Sequence, residues 1–86
     1  MNTFRVEITS IEDNIIFDKV SSVSLNGLEG KLMILANHAP YVICILPGIV
    51  VIKTDNAEEK KITVDNGILE VAKNNCNIIT YHFSLI

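Results

Sequence analysis

Residues 4–9 read FRVEIT, and apolar side chains alternate with polar ones along this stretch. Phe4, Val6 and Ile8 fall on one side of an extended chain, with charged or hydroxyl side chains on the other. A period of two is the spacing of side chains in a β-strand that buries one face. The stretch therefore predicts a half-buried strand, and residues 22–25 (SVSL) repeat the pattern.

The rest of the chain has the composition and the turn signals of an all-β domain. It contains 14 Ile and 8 Val, which favour strands, and no long window keeps a helical period. Residues that favour turns recur at short intervals, at 12–14, 26–27, 47–48, 54–57, 66–67 and 73–75. This pattern predicts an all-β fold, a small antiparallel two-sheet β-sandwich of many short strands, forming a single domain over residues 1–86.

The composition points to a protein partner. Of the 86 residues, 49% are hydrophobic, and the net charge is −3. A chain of this length buries only about 60% of its unfolded surface, so the apolar excess indicates an interaction site. No basic cluster favours nucleic-acid binding. The longest apolar run, residues 41–46, is far shorter than the roughly 20 residues that span a bilayer, and no signal peptide is apparent, which favours the cytosol.

The run YVICIL at residues 41–46 is apolar on both faces of a strand. A sandwich strand needs only one apolar face, so the second face is covered either by a loop of this chain or by another subunit. Because the chain is too short to supply much cover itself, we favour another subunit. We expect Tyr41, Ile43 and Ile45 to face outward, toward that partner.

No catalytic, metal or cofactor site emerges from the spacing of reactive residues. A Cys44–His38 nucleophilic pair would need an electropositive setting, and the surroundings of Cys44 are apolar. Cys44 is expected to be buried and Cys76 to be more exposed, and a disulfide between them is left open. Gly27 and Gly30 indicate a turn, because no phosphate-binding Lys–Ser/Thr sequence follows them.

His38 lies in the segment NHAP, residues 37–40, where Pro40 stiffens the chain. A structural loop role and a polar contact are both open for this histidine. A stiff loop beside the glycine-rich turn predicts that Glu29, Lys31 and His38 lie together at one end of the sandwich. Such a set suits polar docking on another protein.

Several motifs, in order, resemble the N-terminal β-sandwich domain of the ε subunit of F-type ATP synthases. They are Gly27, Glu29, Gly30 and Leu32 (G-x-E-G-x-L), His38–Pro40 (H-A-P), Pro47–Gly48 and residues 66–71 (NGILEV). The similarity covers nearly the whole chain. It departs from the family pattern at Lys31, commonly acidic, and at Asn66, commonly glycine.

The resemblance implies a non-catalytic rotor subunit that links the γ subunit to the c-ring and couples proton flow to ATP synthesis. Glu29, Lys31 and His38 would face the c-ring, and Tyr41, Ile43 and Ile45 would face γ. The complex would lie peripherally at the cytoplasmic face of the bacterial inner membrane. No metal and no cofactor are implied.

Family members continue into a two-helix C-terminal hairpin that restrains ATP hydrolysis and in some binds ATP. This chain stops at Ile86, so the resemblance implies that the helical domain and its nucleotide site are absent. The alternative is a free-standing β-sandwich module for an unrelated protein or a small ligand, which would need a concave pocket. A Cys/His hydrolase is a third, weaker hypothesis.

Overall fold

Strands account for most of residues 2–86, the part of the chain that the computed structural model describes. No helix occurs within these residues, so the prediction of an all-β fold is confirmed. The strands are β1 (Phe4–Thr9), β2 (Asn14–Gly27), β3 (Gly30–Leu35), β4 (Tyr41–Ile45), β5 (Gly48–Thr54), β6 (Glu59–Val64), β7 (Gly67–Ala72), β8 (Asn75–Thr80) and β9 (Phe83–Leu85).

The strands form two layers joined through β2. The front sheet contains β4, β7, β8, β1 and the first half of β2, paired in that order. The rear sheet contains β3, the second half of β2, β5, β6 and β9. The end of β2 also pairs with β4 at Gly27–Ile45, which closes one side of the sandwich.

Strand β2 passes from one sheet to the other by bending at its centre. Lys19 has a φ of 55°, and the pairing register shifts near Val20 against both β1 and β5. An extra residue in one strand of a pair bends that strand, as a β-bulge does. The bend therefore lets one 14-residue strand serve both sheets, in place of the short strands that we predicted.

The core lies between the layers and consists of alternate side chains from both. Phe4, Val6 and Ile8 of β1 are buried, as are Val23 and Leu25 of β2, as their alternation predicts. The other buried apolar side chains are Val20, Ile34, Ile45, Val50, Ile52, Ile62, Val64, Leu69, Val71, Cys76, Ile78 and Phe83. Burying an aliphatic side chain contributes about 1.5–3 kcal/mol, so this cluster is the main source of stability.

One strand pair departs from the predicted antiparallel arrangement. Strands β1 and β8 run parallel, with Val6 opposite Cys76 and Ile8 opposite Ile78. The alternation of side chains is the same in both kinds of pair, so the sequence pattern carried no information about strand direction.

The connecting segments gather at two ends of the sandwich. The end that we call the turn end is formed by residues 10–13, 28–29, 46–47, 65–66 and 81–82. The opposite end, called the His38 end, contains residues 36–40, 55–58 and 73–74. The buried Thr80 hydroxyl donates to the Asn66 carbonyl oxygen (3.0 Å) and accepts from the Asp65 amide (3.1 Å), which fixes one connection of the turn end.

Gly67 is required by the close approach of β7 and β8, since an added Cβ would collide with the main-chain carbonyl of Ile79. We expect Gly67→Ala to reduce the free energy of unfolding by about 3 kcal/mol, as overpacking against backbone does. The matched control is Gly48→Ala, whose Cβ would lie 3.1 Å from the side-chain amide of Asn26, a group that can move. Urea unfolding measures both, and equal losses would contradict the assigned role of Gly67.

Candidate interaction site

Strand β4 presents its apolar side chains in the orientation opposite to our prediction. Ile45 is 2% exposed, and Tyr41 and Ile43 are half-buried against the core. Val42 is 65% exposed, and Cys44 is also exposed. The prediction that Tyr41, Ile43 and Ile45 face outward is therefore wrong, although the strand does expose one apolar face.

The orientation of β4 follows from its attachment to the end of β2. The Leu28 amide donates to the Cys44 carbonyl oxygen, and the Leu46 amide donates to the Asn26 carbonyl oxygen, both at 3.0 Å. Gly27 leaves room for the side chain of Ile43, because an added Cβ would lie 3.2 Å from its Cδ1 atom. The odd-numbered positions of β4 thus point into the core.

Outward apolar side chains from three strands form a row across the front sheet. Cys44 is the register partner of Ile68, and Ile68 is the partner of Ile79. Ile68 is 47% exposed and Ile79 is 55% exposed. These three residues, called the apolar row, are side-by-side neighbours, because adjacent strands lie about 4.8 Å apart.

An open apolar groove of about 740 Å³ extends from the apolar row to the turn end. Beyond the apolar row it is bordered by the exposed side chains of Ile11, Leu28, Leu46 and Tyr81. Apolar surface gathered in one place marks an interaction site, whereas scattered apolar side chains do not. The groove and the apolar row are therefore the candidate interaction site.

A second row, which runs beside the apolar row, is acidic. Glu70 pairs with Asn77, and Asn77 pairs with Glu7, so the amide lies between the two carboxylates. Val42 continues the row on β4. Residues two apart on a strand are separated by about 7 Å, so this acidic row directly flanks the apolar row.

Glu29 and Lys31 lie at the turn end, whereas His38 lies at the other end. Strand β3 begins beside Glu29, includes Lys31 and runs toward His38, and its six residues span roughly 17 Å. The segment with His38 is fixed to the 73–74 turn, because the Asn37 amide donates to Asn74 Oδ1 at 2.8 Å. The prediction that all three residues share one end is therefore wrong for His38.

His38 is half-buried and has local partners. Its Nδ1 lies 2.8 Å from the carbonyl oxygen of Ala39, and its ring lies 5.9 Å from the ring of Tyr41, centre to centre. Cys44 lies further along β4, about 13 Å from Pro40 for an extended strand. His38 and Cys44 are therefore not brought together as a nucleophilic pair.

The two cysteines are both free, and their burial is the reverse of the prediction. Cys44 is exposed in the apolar row, and Cys76 is fully buried in the core. Desolvation by burial raises the pKa of the Cys76 thiol to about 12. Only Cys44 is therefore available for reaction.

Within residues 2–86 we find no group of three or more His, Cys, Asp or Glu side chains arranged to hold a metal ion. The same part of the chain has no helix that is long and apolar enough to cross a membrane.

The sequence interpretation missed Ile68, Ile79, Glu70 and Glu7 as surface residues of one site. A signal for the first two was present, since Ile68–Leu69 and Ile78–Ile79 are apolar at consecutive positions, as residues 41–46 are. Consecutive apolar residues in a strand place one of them outside. The grouping with β4 could not be read from the sequence, because it depends on the strand order.

Comparison with known proteins identifies the domain. Residues 3–85 match the family model described as "ATP synthase, Delta/Epsilon chain, beta-sandwich domain". The ATP synthase epsilon chain of Wolbachia pipientis wMel is 58% identical over 80 residues, which is 93% of this chain and 70% of that relative.

Two solved structures share the fold. A chain of the Euglena gracilis mitochondrial ATP synthase (OSCP/F1/c-ring) matches with a TM-score of 0.90 and 18% identity, covering 99% of this chain and 54% of the other. A chain of the Tetrahymena thermophila mitochondrial ATP synthase, in its central stalk/c-ring, matches with a TM-score of 0.77 and 17% identity, covering 98% of this chain and 69% of the other. At these identities the likeness concerns the fold alone.

The orientation of β4 predicts that two truncations on the same strand change the free energy of unfolding by very different amounts. Ile45→Ala removes buried methyl groups and is expected to lower the free energy of unfolding by about 3 kcal/mol. Val42→Ala, at an exposed position, is expected to change it by less than about 1 kcal/mol. Urea unfolding measures both. The reverse order of the two effects would restore our original assignment of the strand faces.

The thiols are expected to differ in reactivity. Iodoacetamide at pH 8 should modify the exposed Cys44 of the native protein and leave Cys76 unmodified, because the thiolate is the nucleophile and the pKa of Cys76 is raised to about 12. Mass spectrometry of the intact chain should show one adduct, and two after denaturation. Rapid modification of Cys76 in the native protein would contradict its burial.

Proposed function

The chain belongs to the family of ATP synthase delta/epsilon chains through their β-sandwich domain, and from this premise we propose that it is a non-catalytic subunit of the rotor. In this role it links the γ subunit to the c-ring of a proton-translocating F-type ATP synthase. The observation that carries the proposal is the family match, which extends over residues 3–85 and thus over all nine strands.

The mechanism is mechanical. A close-packed core between two hydrogen-bonded layers has low compressibility and transmits strain, so a force applied at one surface would reach another with little deformation. A rotor link needs two separate contact surfaces, one for each neighbour. The apolar row on the front face and the polar side chains of Glu29 and Lys31 at the turn end would be two such surfaces, with the apolar groove between them. Rotation of the c-ring would reach γ through this rigid body, and proton flow would thereby be coupled to ATP synthesis.

The apolar row is the proposed contact for γ. Ile68 and Ile79 remain about half exposed in the isolated domain, and covering them with a partner contributes hydrophobic free energy that the domain alone does not gain. Val42 and Cys44 extend the same surface onto β4. They take the place of Tyr41, Ile43 and Ile45, whose side chains support this surface from inside.

The turn end is the proposed contact for the c-ring. Glu29 and Lys31 are exposed there, beside the two-residue turn between β2 and β3. A polar loop contact of this kind suits loops of a membrane-embedded ring. His38 lies at the opposite end and has no part in the proposal for this contact.

The complex is proposed to lie at the cytoplasmic face of the bacterial cell membrane, with this subunit attached only through its protein partners. The proposed role requires neither a cofactor nor a nucleotide. Inhibition by C-terminal helices is no part of the proposal.

The second candidate is a free-standing module that binds a small apolar ligand. The groove favours it, since about 740 Å³ lies within the range of ligand pockets, roughly 300–1,000 Å³. Thermal unfolding with and without a fatty acid or similar apolar ligand distinguishes the two, because a ligand that binds only the native state raises Tm.

The γ contact is tested with two isoleucines of equal exposure on opposite faces. Ile68 in the front sheet is 47% exposed, and Ile49 in the rear sheet is 48% exposed. We expect Ile68→Asp to weaken binding to purified γ by about tenfold or more, because a charge at the centre of an apolar contact is left unpaired. Ile49→Asp should leave the affinity unchanged, and titration calorimetry measures both.

The urea midpoints of both variants show whether the fold is intact. A tagged wild-type chain should also recover γ and c subunits from native membranes. Recovery of neither subunit, together with no affinity for purified γ, would overturn the proposed function.

A further inference from the structure

The acidic row lies next to the proposed γ contact and has few positive charges near it. Glu70 is exposed and forms no ion pair within residues 2–86. Glu7 accepts a hydrogen bond from the side-chain amide of Asn14 at 2.8 Å. The two carboxylates are two strands apart, about 10 Å, and both therefore face the same region of solvent.

The positive groups of the neighbouring strands, including Lys19 of β2, lie on the side of the acidic row toward the His38 end. Arg5 of β1 lies two residues before Glu7 on the same face, about 7 Å from it toward the His38 end, and its guanidinium is 4.0 Å from the carboxylate of Asp18. Lys73 lies in the turn between β7 and β8, at the His38 end. The middle of the front face thus presents negative charge beside an apolar strip.

We propose that the front face binds an amphipathic segment of the partner, which lays an apolar stripe on the apolar row and places a lysine or arginine over Glu70 and Glu7. The proposal rests on the proposed function and specifies the chemistry of the γ segment. The apolar stripe would supply most of the affinity, and the charge would set the register of the segment on the sheet.

The charges disfavour three other occupants of this face. An anionic lipid surface or a nucleic acid would be repelled by the acidic row. A second copy of the chain, docked by a two-fold axis centred on the acidic row, would set carboxylate against carboxylate. If the two-fold axis were centred on the apolar row, the second copy would leave the carboxylates without a positive partner.

The test compares two reversals of charge in the full chain. Glu70→Lys should weaken binding to purified γ by about tenfold, since like charges across an interface repel, and should flatten the dependence of the affinity on salt. The control is Glu58→Lys at the tip between β5 and β6, which makes the same change in net charge away from the front face. It should leave the affinity within about twofold of wild type, because an exposed charge more than a Debye length from the contact is largely screened.

The outcomes separate this inference from the proposed function. If wild type binds γ and Glu70→Lys binds equally well, the charge contact is overturned and the rotor role stands. Equal weakening by both variants would mean that only net charge matters, which also overturns it. If wild type does not bind purified γ, this inference is overturned, and the recovery of γ and c subunits from native membranes then decides the proposed function. Restoration of Glu70→Lys binding by a basic-to-acidic change in γ would establish the pair directly.

Discussion

The packing of alternate side chains between the two sheets is the interaction on which the rest of the structure depends. Seventeen apolar side chains form this core, and each belongs to a strand in which the neighbouring residues point outward. Because side chains alternate strictly, burial of one set fixes the direction of the other. The positions of Ile68, Ile79 and Glu70 on the surface are therefore consequences of where Leu69, Ile78 and Val71 are buried.

The sequence pattern was sufficient to assign side chains to the core where one face of a strand is apolar and the other is polar. Phe4, Val6 and Ile8 could be assigned to the core because charged residues alternate with them. In β4 both sets are apolar, so nothing local distinguishes Ile45 from Cys44, and only the pairing with the end of β2 decides. The separation of His38 from Glu29 could have been predicted, because the sequence KLMIL between them is long enough to form a strand. The direction of the strands and the adjacency of β4, β7 and β8 could not be predicted from the sequence, because both depend on the fold.

The front face places an apolar row beside an acidic row, which would allow two kinds of recognition. Apolar contact contributes much of the binding free energy but does not fix the position of the partner along the row. A charge pair fixes that position but contributes little free energy in water. For the proposed rotor link, which must not slip on its neighbour, the combination would be more useful than either alone. The same reasoning explains why the face is built on paired strands, whose spacing is constant, and not on a loop.

The parallel pairing of β1 with β8 has a consequence for biosynthesis. Val6 pairs with Cys76, so β1 leaves the ribosome long before β8, one of its two neighbours, has been made, although β2 on its other side follows at once. A topology dominated by such distant pairings folds slowly, and partial chains expose unpaired edges. The domain therefore reaches its native form only when nearly all of it has been translated, and a truncated product would be a target for chaperones and proteases before it could compete for a place in an assembly.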